Sequence, residues 1–150
     1  MKKELTISAI KDGTVIDHIP IDATFNVAKI LDLKGVTGII SVATNLSSKA
    51  MGKKGIIKVG DKSLTKDEAD KIALIAPNAT VNIIQNYEVK QKIKIEIPDV
   101  VNRIIKCSNP NCVTNNEKVA TKFYVLSKGP LKIRCHYCER NMEKEDIILL

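Results

Sequence analysis

The sequence predicts an α+β protein in two parts: a two-layer sandwich of one sheet and two helices, followed by a small, mostly β, zinc-ribbon-like segment. Three observations predict it. Strand-like alternation and helix-like periodicity interleave through the first hundred residues, which is the pattern of a sheet covered by helices. All four cysteines fall in the last third, as two close pairs. Between the two patterns, Pro98 and Asp99 break the chain.

Residues 5–10 alternate apolar and polar side chains, Asp12-Gly13 marks a turn, and residues 14–19 read as the partner strand. Asp22 or Thr24 can cap a helix that runs to Lys34, with Val27, Ile30 and Leu31 on one face and Gly35 placed to stop it. A strand at 38–45 and a shorter one at 56–59 flank a loop around Gly52. Thr65 and Glu68 have capping-box spacing, and Ala69, Ile72, Ala73 and Ile75 give the next helix an apolar face ending before Pro77. Residues 81–84 and 90–97 complete the strands, and the whole reads as a ferredoxin-like sandwich with both helices on one face. The boundary falls near residue 100, giving domains 1–99 and 100–150. Downstream, 119–127 and 131–134 form a hairpin about Lys128-Gly129-Pro130, with a terminal strand at 146–150.

With 150 residues, 44% hydrophobic and 27% charged, the chain has a globular rather than a disordered composition. Only Phe25, Tyr87, Phe123, Tyr124 and Tyr137 are aromatic, so Ile, Val, Leu and Ala must build the core, and ring platforms for single-stranded nucleic acid are scarce. A net charge of +7 permits an anionic partner without choosing one. The longest apolar runs, such as 147–150, fall far short of the roughly 20 residues of a membrane helix, and the first residues lack the apolar core of a signal peptide. A soluble cytoplasmic protein is expected, with no membrane partner.

The cysteines read Cys107-Ser-Asn-Pro-Asn-Cys112 and, 22 residues on, Cys135-His-Tyr-Cys138. Two short turns, each presenting two thiolates, suit one tetrahedral zinc. A reducing compartment disfavours two disulfides. Thiol exchange at Cys135-x-x-Cys138 is disfavoured by the second pair upstream. Four thiolates leave zinc no open position, so one structural zinc per chain is expected, His136 is a spare, and folding of residues 101–150 should depend on the metal.

No phosphate-binding loop, dinucleotide fingerprint, nucleophile elbow or histidine cluster occurs in the first hundred residues, so no catalytic residue is assigned. His18 and Asp17 read most simply as ordinary strand residues. Lys53, Lys54 and Lys58 fit a solvated face, and Lys90, Lys92 and Lys94 alternate along one strand.

Gly13-Thr-Val-Ile-Asp-His-Ile-Pro20, Met51-Gly-Lys-Lys54 with Ile57-Lys58, Ala76-Pro-Asn-Ala-Thr-Val-Asn82, Asn86-Tyr-Glu-Val89 and the spaced cysteine pairs together resemble the regulatory chain of aspartate carbamoyltransferase over its whole length. The resemblance implies a non-catalytic subunit of pyrimidine biosynthesis that binds CTP and ATP at one site, with UTP at an adjacent subsite. It also implies a regulatory-chain homodimer and docking of the zinc domain on a catalytic chain. Carried over by position, Asp17 approaches the ribose, and His18, Lys58 and Lys92 meet the sugar-phosphate end. Ile10, Ile84, Tyr87 and Val89 line the base pocket, where backbone groups of Ala9, Ile10, Tyr87 and Val89 read the base edge. Lys54 belongs to the adjacent subsite. Ser8, where the family often has an acidic residue, and the shorter N-terminus bear on nucleotide preference and synergism. The rival reading is a zinc-ribbon nucleic-acid-binding protein, which the mere three arginines, Arg103, Arg134 and Arg140, argue against.

Overall fold

The computed structural model describes residues 9–150, and its contacts divide the chain between Ile95 and Glu96 into two compact units. The first unit runs β1 (Gly13–Ile19), α1 (Thr24–Ile30), β2 (Ile40–Ser48), β3 (Gly52–Gly60), α2 (Lys66–Ile75), β4 (Thr80–Gln85) and β5 (Glu88–Lys94). One antiparallel sheet has the order β2-β3-β1-β4-β5. A βαββαβ order with β1 and β3 central is the ferredoxin-like arrangement, here extended by β5 on the β4 edge.

Side chains alternate across the sheet, so cross-strand partners share a face. Ile16 pairs with both Ile57 and Val81, and all three are almost fully buried. This row faces the core with Val27 of α1 and Ile72 of α2, also fully buried. Each such side chain contributes about 1.5–3 kcal/mol by leaving water. α1 packs against β2, β3 and α2.

Helix α2 starts as its sequence dictates. The Thr65 side chain accepts the Glu68 N–H, and the Glu68 carboxylate accepts the Thr65 N–H. Its buried side is Glu68, Ile72, Ala73 and Leu74, whereas Ala69 and Ile75 are only half-buried. Helix α1 differs more from expectation. Ala23 is its N-cap, without a side-chain bond, and Thr24 is its first residue, with its hydroxyl donating to the Pro20 carbonyl at 3.2 Å. The helix stops at Ile30 rather than Lys34 because Leu31 turns extended and buries its side chain there. Gly35, at φ +79°, serves a later turn.

The strand expected at 5–10 falls mainly outside the described residues, and Ala9 and Ile10 are not in a strand. β1 pairs instead with β3 and β4. The β2–β3 hairpin is longer than alternation suggested, since Ser47 and Lys53 still pair near its tip.

The second unit contains β6 (Val100–Asn102), β7 (Ile105–Lys106), the one-turn helix α3 (Val113–Asn116), β8 (Lys122–Lys128), β9 (Leu131–Cys135), β10 (Asn141–Glu143) and β11 (Ile148–Leu149). β10-β9-β8-β6 form one sheet, and β11-β7 form a second. Besides cysteines, its buried apolar residues are Ile97, Val101, Ile104, Ile105, Phe123, Leu131, Ile133 and Met142, a small core for which a metal staple is physically useful. The β8–β9 hairpin appears where expected, whereas three-residue β10 was not anticipated. Among the described residues no helix is long and apolar enough to cross a membrane.

Candidate metal centre and effector site

In the second unit, β9 ends at Cys135, and the turn after it carries Cys138. The other pair closes the loop between β7 and α3, where Cys112 is the residue before the helix. The four Sγ atoms lie within 4.8 Å of one another. Cys107 and Cys138 are 3.6 Å apart, and Cys112 and Cys135 are 3.8 Å apart. A disulfide needs about 2.05 Å. Ligands about 2.3 Å from a tetrahedral zinc are separated by about 3.8 Å, so these two pairs match that spacing and the whole set is gathered closely enough for one such metal.

The chemistry of the donor set fits as well. Cys107 accepts the Asn109 N–H, Cys112 accepts the Thr114 hydroxyl at 3.2 Å, Cys135 accepts the Cys138 and Tyr137 N–H groups, and Cys138 accepts the Arg140 N–H and the Asn109 side chain. Every sulfur thus has a donor suited to a thiolate. Without metal, burial pushes the Cys107 thiol up to about 12 and raises Cys135. At Cys138 burial acts in the same sense but is outweighed by the Arg140 N–H and the Asn109 side chain, which bring the thiol down to about 7. A divalent cation removes this conflict by replacing the protons.

His136 is outside the cluster: its Nδ1 lies 2.7 Å from the Tyr124 hydroxyl. Cys135-x-x-Cys138 sits in a turn after a strand, not at the start of a helix, which disfavours thiol exchange.

In the first unit the sheet face opposite Ile16, Ile57 and Val81 carries the polar candidates. Lys58, Val15, Asn82 and Lys92 are successive partners across β3, β1, β4 and β5. The two lysine backbones are therefore three strand spacings apart, roughly 14 Å, with Val15 and Asn82 between them. Two residues along, Asp17 pairs with Thr80 and Thr80 with Lys94. Lys54 Nζ lies 2.8 Å from Asp17 Oδ1.

His18 reaches this same neighbourhood through a bulge. Alternation would send it inward with Ile16, but the β1–β3 register shifts between Ile16 and Ile19, and His18 adopts φ +57°. Its Nδ1 comes within 3.0 Å of Thr80 Oγ1. Ile19 then returns to the core, fully buried.

Toward the other end of β4, Ile10, Val15 and Ile84 form an apolar cluster with Ile56 against it. Val89 pairs with Ile84, and the Tyr87 N–H donates to the Lys11 carbonyl at 2.9 Å. Ala9, Ile10 and Tyr87 line part of a cleft of about 300 Å³ that also includes Gly38 and Ile39. Residue types alone do not single out Val15, Ile56, Thr80 and Asn82, which the structure places among the candidate residues. Alternation could have placed Asn82 opposite Val81 and Ile83. It could not have shown that its buried Oδ1 has no hydrogen-bond partner.

A family model described as aspartate carbamoyltransferase regulatory chain, allosteric domain, matches residues 5–96, and one described as its metal binding domain matches residues 99–148. Aspartate carbamoyltransferase regulatory chains from Pyrococcus horikoshii and Bacteroides fragilis are 56% and 46% identical to this chain, over 97% and 99% of it and 97% of each relative. That from Thermococcus kodakarensis is 49% identical over 98% of this chain and 97% of its own. Two models in chain order and full-length relatives at this identity place the chain in the family of aspartate carbamoyltransferase regulatory chains, with an allosteric domain followed by a metal-binding domain.

Proposed function

We propose that the outer face of the first unit's sheet binds nucleoside triphosphates, CTP and ATP competing for one site and UTP occupying a neighbouring position near Lys54. The observation that carries this reading is the row Lys58–Val15–Asn82–Lys92 between an apolar end and a polar end. Ile10, Ile84, Tyr87 and Val89 take the base, with backbone groups of Ala9 and Ile10 at its edge. Asp17 takes the ribose, and His18, Lys58 and Lys92 take the phosphates. From Ile84 to Thr80 is four strand residues, about 13 Å, a length suited to an extended nucleotide. A triphosphate's charge calls for several fixed cations, which these strands supply.

Residues 1–99 then act as the allosteric domain, and 100–150 as the domain that docks on a catalytic chain in the cytoplasm. Cys107, Cys112, Cys135 and Cys138 hold one structural zinc. The chains pair as homodimers through β2, a sheet edge whose Ile40 and Val42 are 39% and 38% exposed. An effector acts only if it binds two quaternary states unequally, so the nucleotide site works by linkage rather than by chemistry.

The deciding experiment combines this chain with a catalytic chain and follows carbamoyl transfer with CTP and ATP. Nucleotide-dependent change in activity, lost with Lys92→Ala, supports the reading. Tight RNA or DNA binding in physiological salt that CTP does not affect would overturn it in favour of a nucleic-acid-binding protein.

A further inference from the structure

The two cysteine turns are not equivalent. The shorter one closes with its own backbone: the Glu139 N–H donates to the Cys135 carbonyl at 3.0 Å, and the Cys135 N–H donates to the Arg140 carbonyl at 3.0 Å. The longer one has two more residues between its cysteines and a correspondingly larger entropy to lose on ordering. It too has bonds of its own, from the Cys112 N–H to the Asn109 carbonyl and from the Asn111 N–H to the Asn109 side chain, each at 3.0 Å, but it is tied further by the short segment just after it.

Asn115 Nδ2 donates to the carbonyls of Cys107 at 2.9 Å and Asn109 at 2.8 Å. Asn116 Nδ2 donates to the carbonyls of Pro110 at 2.9 Å and Cys112 at 2.9 Å. Two amides thereby donate to four carbonyls of one six-residue turn, including those of both its cysteines; the Asn109 and Cys112 carbonyls also accept the Cys112 and Asn115 N–H groups. Thr114 adds a direct contact, its hydroxyl donating to Cys112 Sγ at 3.2 Å. The three consecutive side chains lie on α3, which starts at the metal turn itself.

We propose that Thr114, Asn115 and Asn116 are positioning residues of the metal centre: the two asparagines hold the Cys107–Cys112 turn in its metal-binding shape, and Thr114 sets the electron density on the Cys112 thiolate. The inference rests on the reading that the four cysteines hold zinc. Orienting partners of this kind change metal affinity by about 10- to 100-fold. Loss of the asparagine ties would let the longer turn open more readily, so a zinc held by the four cysteines would be released faster.

The test uses the full chain loaded with zinc and, separately, with cobalt. Zinc transfer to a chromophoric chelator should be about 10- to 100-fold faster in Asn115→Leu/Asn116→Leu than in the parent, whereas Asn141→Leu, an asparagine of the same unit outside the turn, should match the parent. The single Asn115→Leu and Asn116→Leu variants, each losing two donated bonds, give the same reading if the double variant does not fold. Thr114→Val should move the thiolate-to-cobalt absorption to lower energy, and Thr114→Ser should restore it. Release rates within twofold of the parent in both single variants, or an unmoved cobalt band in Thr114→Val, overturn the proposal. A parent chain that retains no zinc would instead overturn the metal assignment on which it rests.

Discussion

Gly55 on β3 meets Thr24 on α1 so closely that a methyl group at position 55 would overlap the threonine hydroxyl and its methyl. The missing side chain is what allows the helix to lie against the sheet beside Ile19, the β1 partner of Gly55. Thr24 is fully buried, with its hydroxyl shared between the Pro20 carbonyl and Thr44 Oγ1 at 3.2 Å each, so it cannot swing away cheaply. Gly55→Ala should destabilise the first unit by about 1–3 kcal/mol, the usual cost of overpacking. Urea unfolding checks it, and zinc content should stay unchanged because the cysteines lie in the other unit.

Asn82 should show opposite signs in two measurements. Its Oδ1 is buried without a partner, a condition that costs roughly 1–3 kcal/mol in the free chain. Asn82→Leu should therefore raise or hold thermal stability while weakening CTP and ATP binding. Calorimetry alongside thermal unfolding distinguishes this from general damage, which would lower both.

Lys92→Ala and His18→Ala should each weaken CTP and ATP by about tenfold or more, the worth of a hydrogen bond to a charged group. Zinc content and subunit association should be retained. Unchanged nucleotide affinity by calorimetry would remove these two residues from the site.

Glu68 gives a pH signature. Burial alone would raise its carboxyl, but bonds from the Thr65 N–H and from Lys62 outweigh it and hold the group below its ordinary 4.5. A lowered folded value means stability that is present above 4.5 and lost as the pH falls through the folded value. Glu68→Gln should cost about 1–3 kcal/mol at neutral pH, since it weakens the Lys62 pair at 3.1 Å and the bond to Asp32 N at 3.4 Å. Paired denaturation curves should show the gap between parent and variant closing below 4.5. A gap that persists there would contradict the assignment.

Cys107→Ala should abolish high-affinity zinc and unfold the second unit, because a domain of this size with a small apolar core depends on metal binding for much of its folding free energy. Loss of association with the catalytic chain should follow. Circular dichroism with metal analysis checks the first effect and gel filtration the second. Normal assembly without zinc would show the metal to be dispensable.

Features set by neighbouring residues are legible in the sequence. The Thr65–Glu68 box needs only a three-residue spacing and forms as read. The β8–β9 hairpin follows from two alternating runs about a turn. The end of α1 was misread because Leu31 is apolar in either conformation. Only packing decides that it is buried from an extended backbone. The β2–β3 tip was missed because Ser47 and Lys53 are polar, so pairing continues there without the alternation that reveals a half-buried strand. His18 joined the outer face only through a bulge, which no hydrophobic pattern records.

The sequence by itself determined the α+β class, the helix cap, the cysteine spacing and, through resemblance, the family. These rest on residue types and short separations, which fix local backbone preference and ligand chemistry. Tertiary structure decided that Lys58, Asn82 and Lys92 share one row, and that two cysteine turns separated by 22 residues close to within 4.8 Å. Such convergence depends on strand register and on competition among buried side chains, neither of which is a property of any one segment.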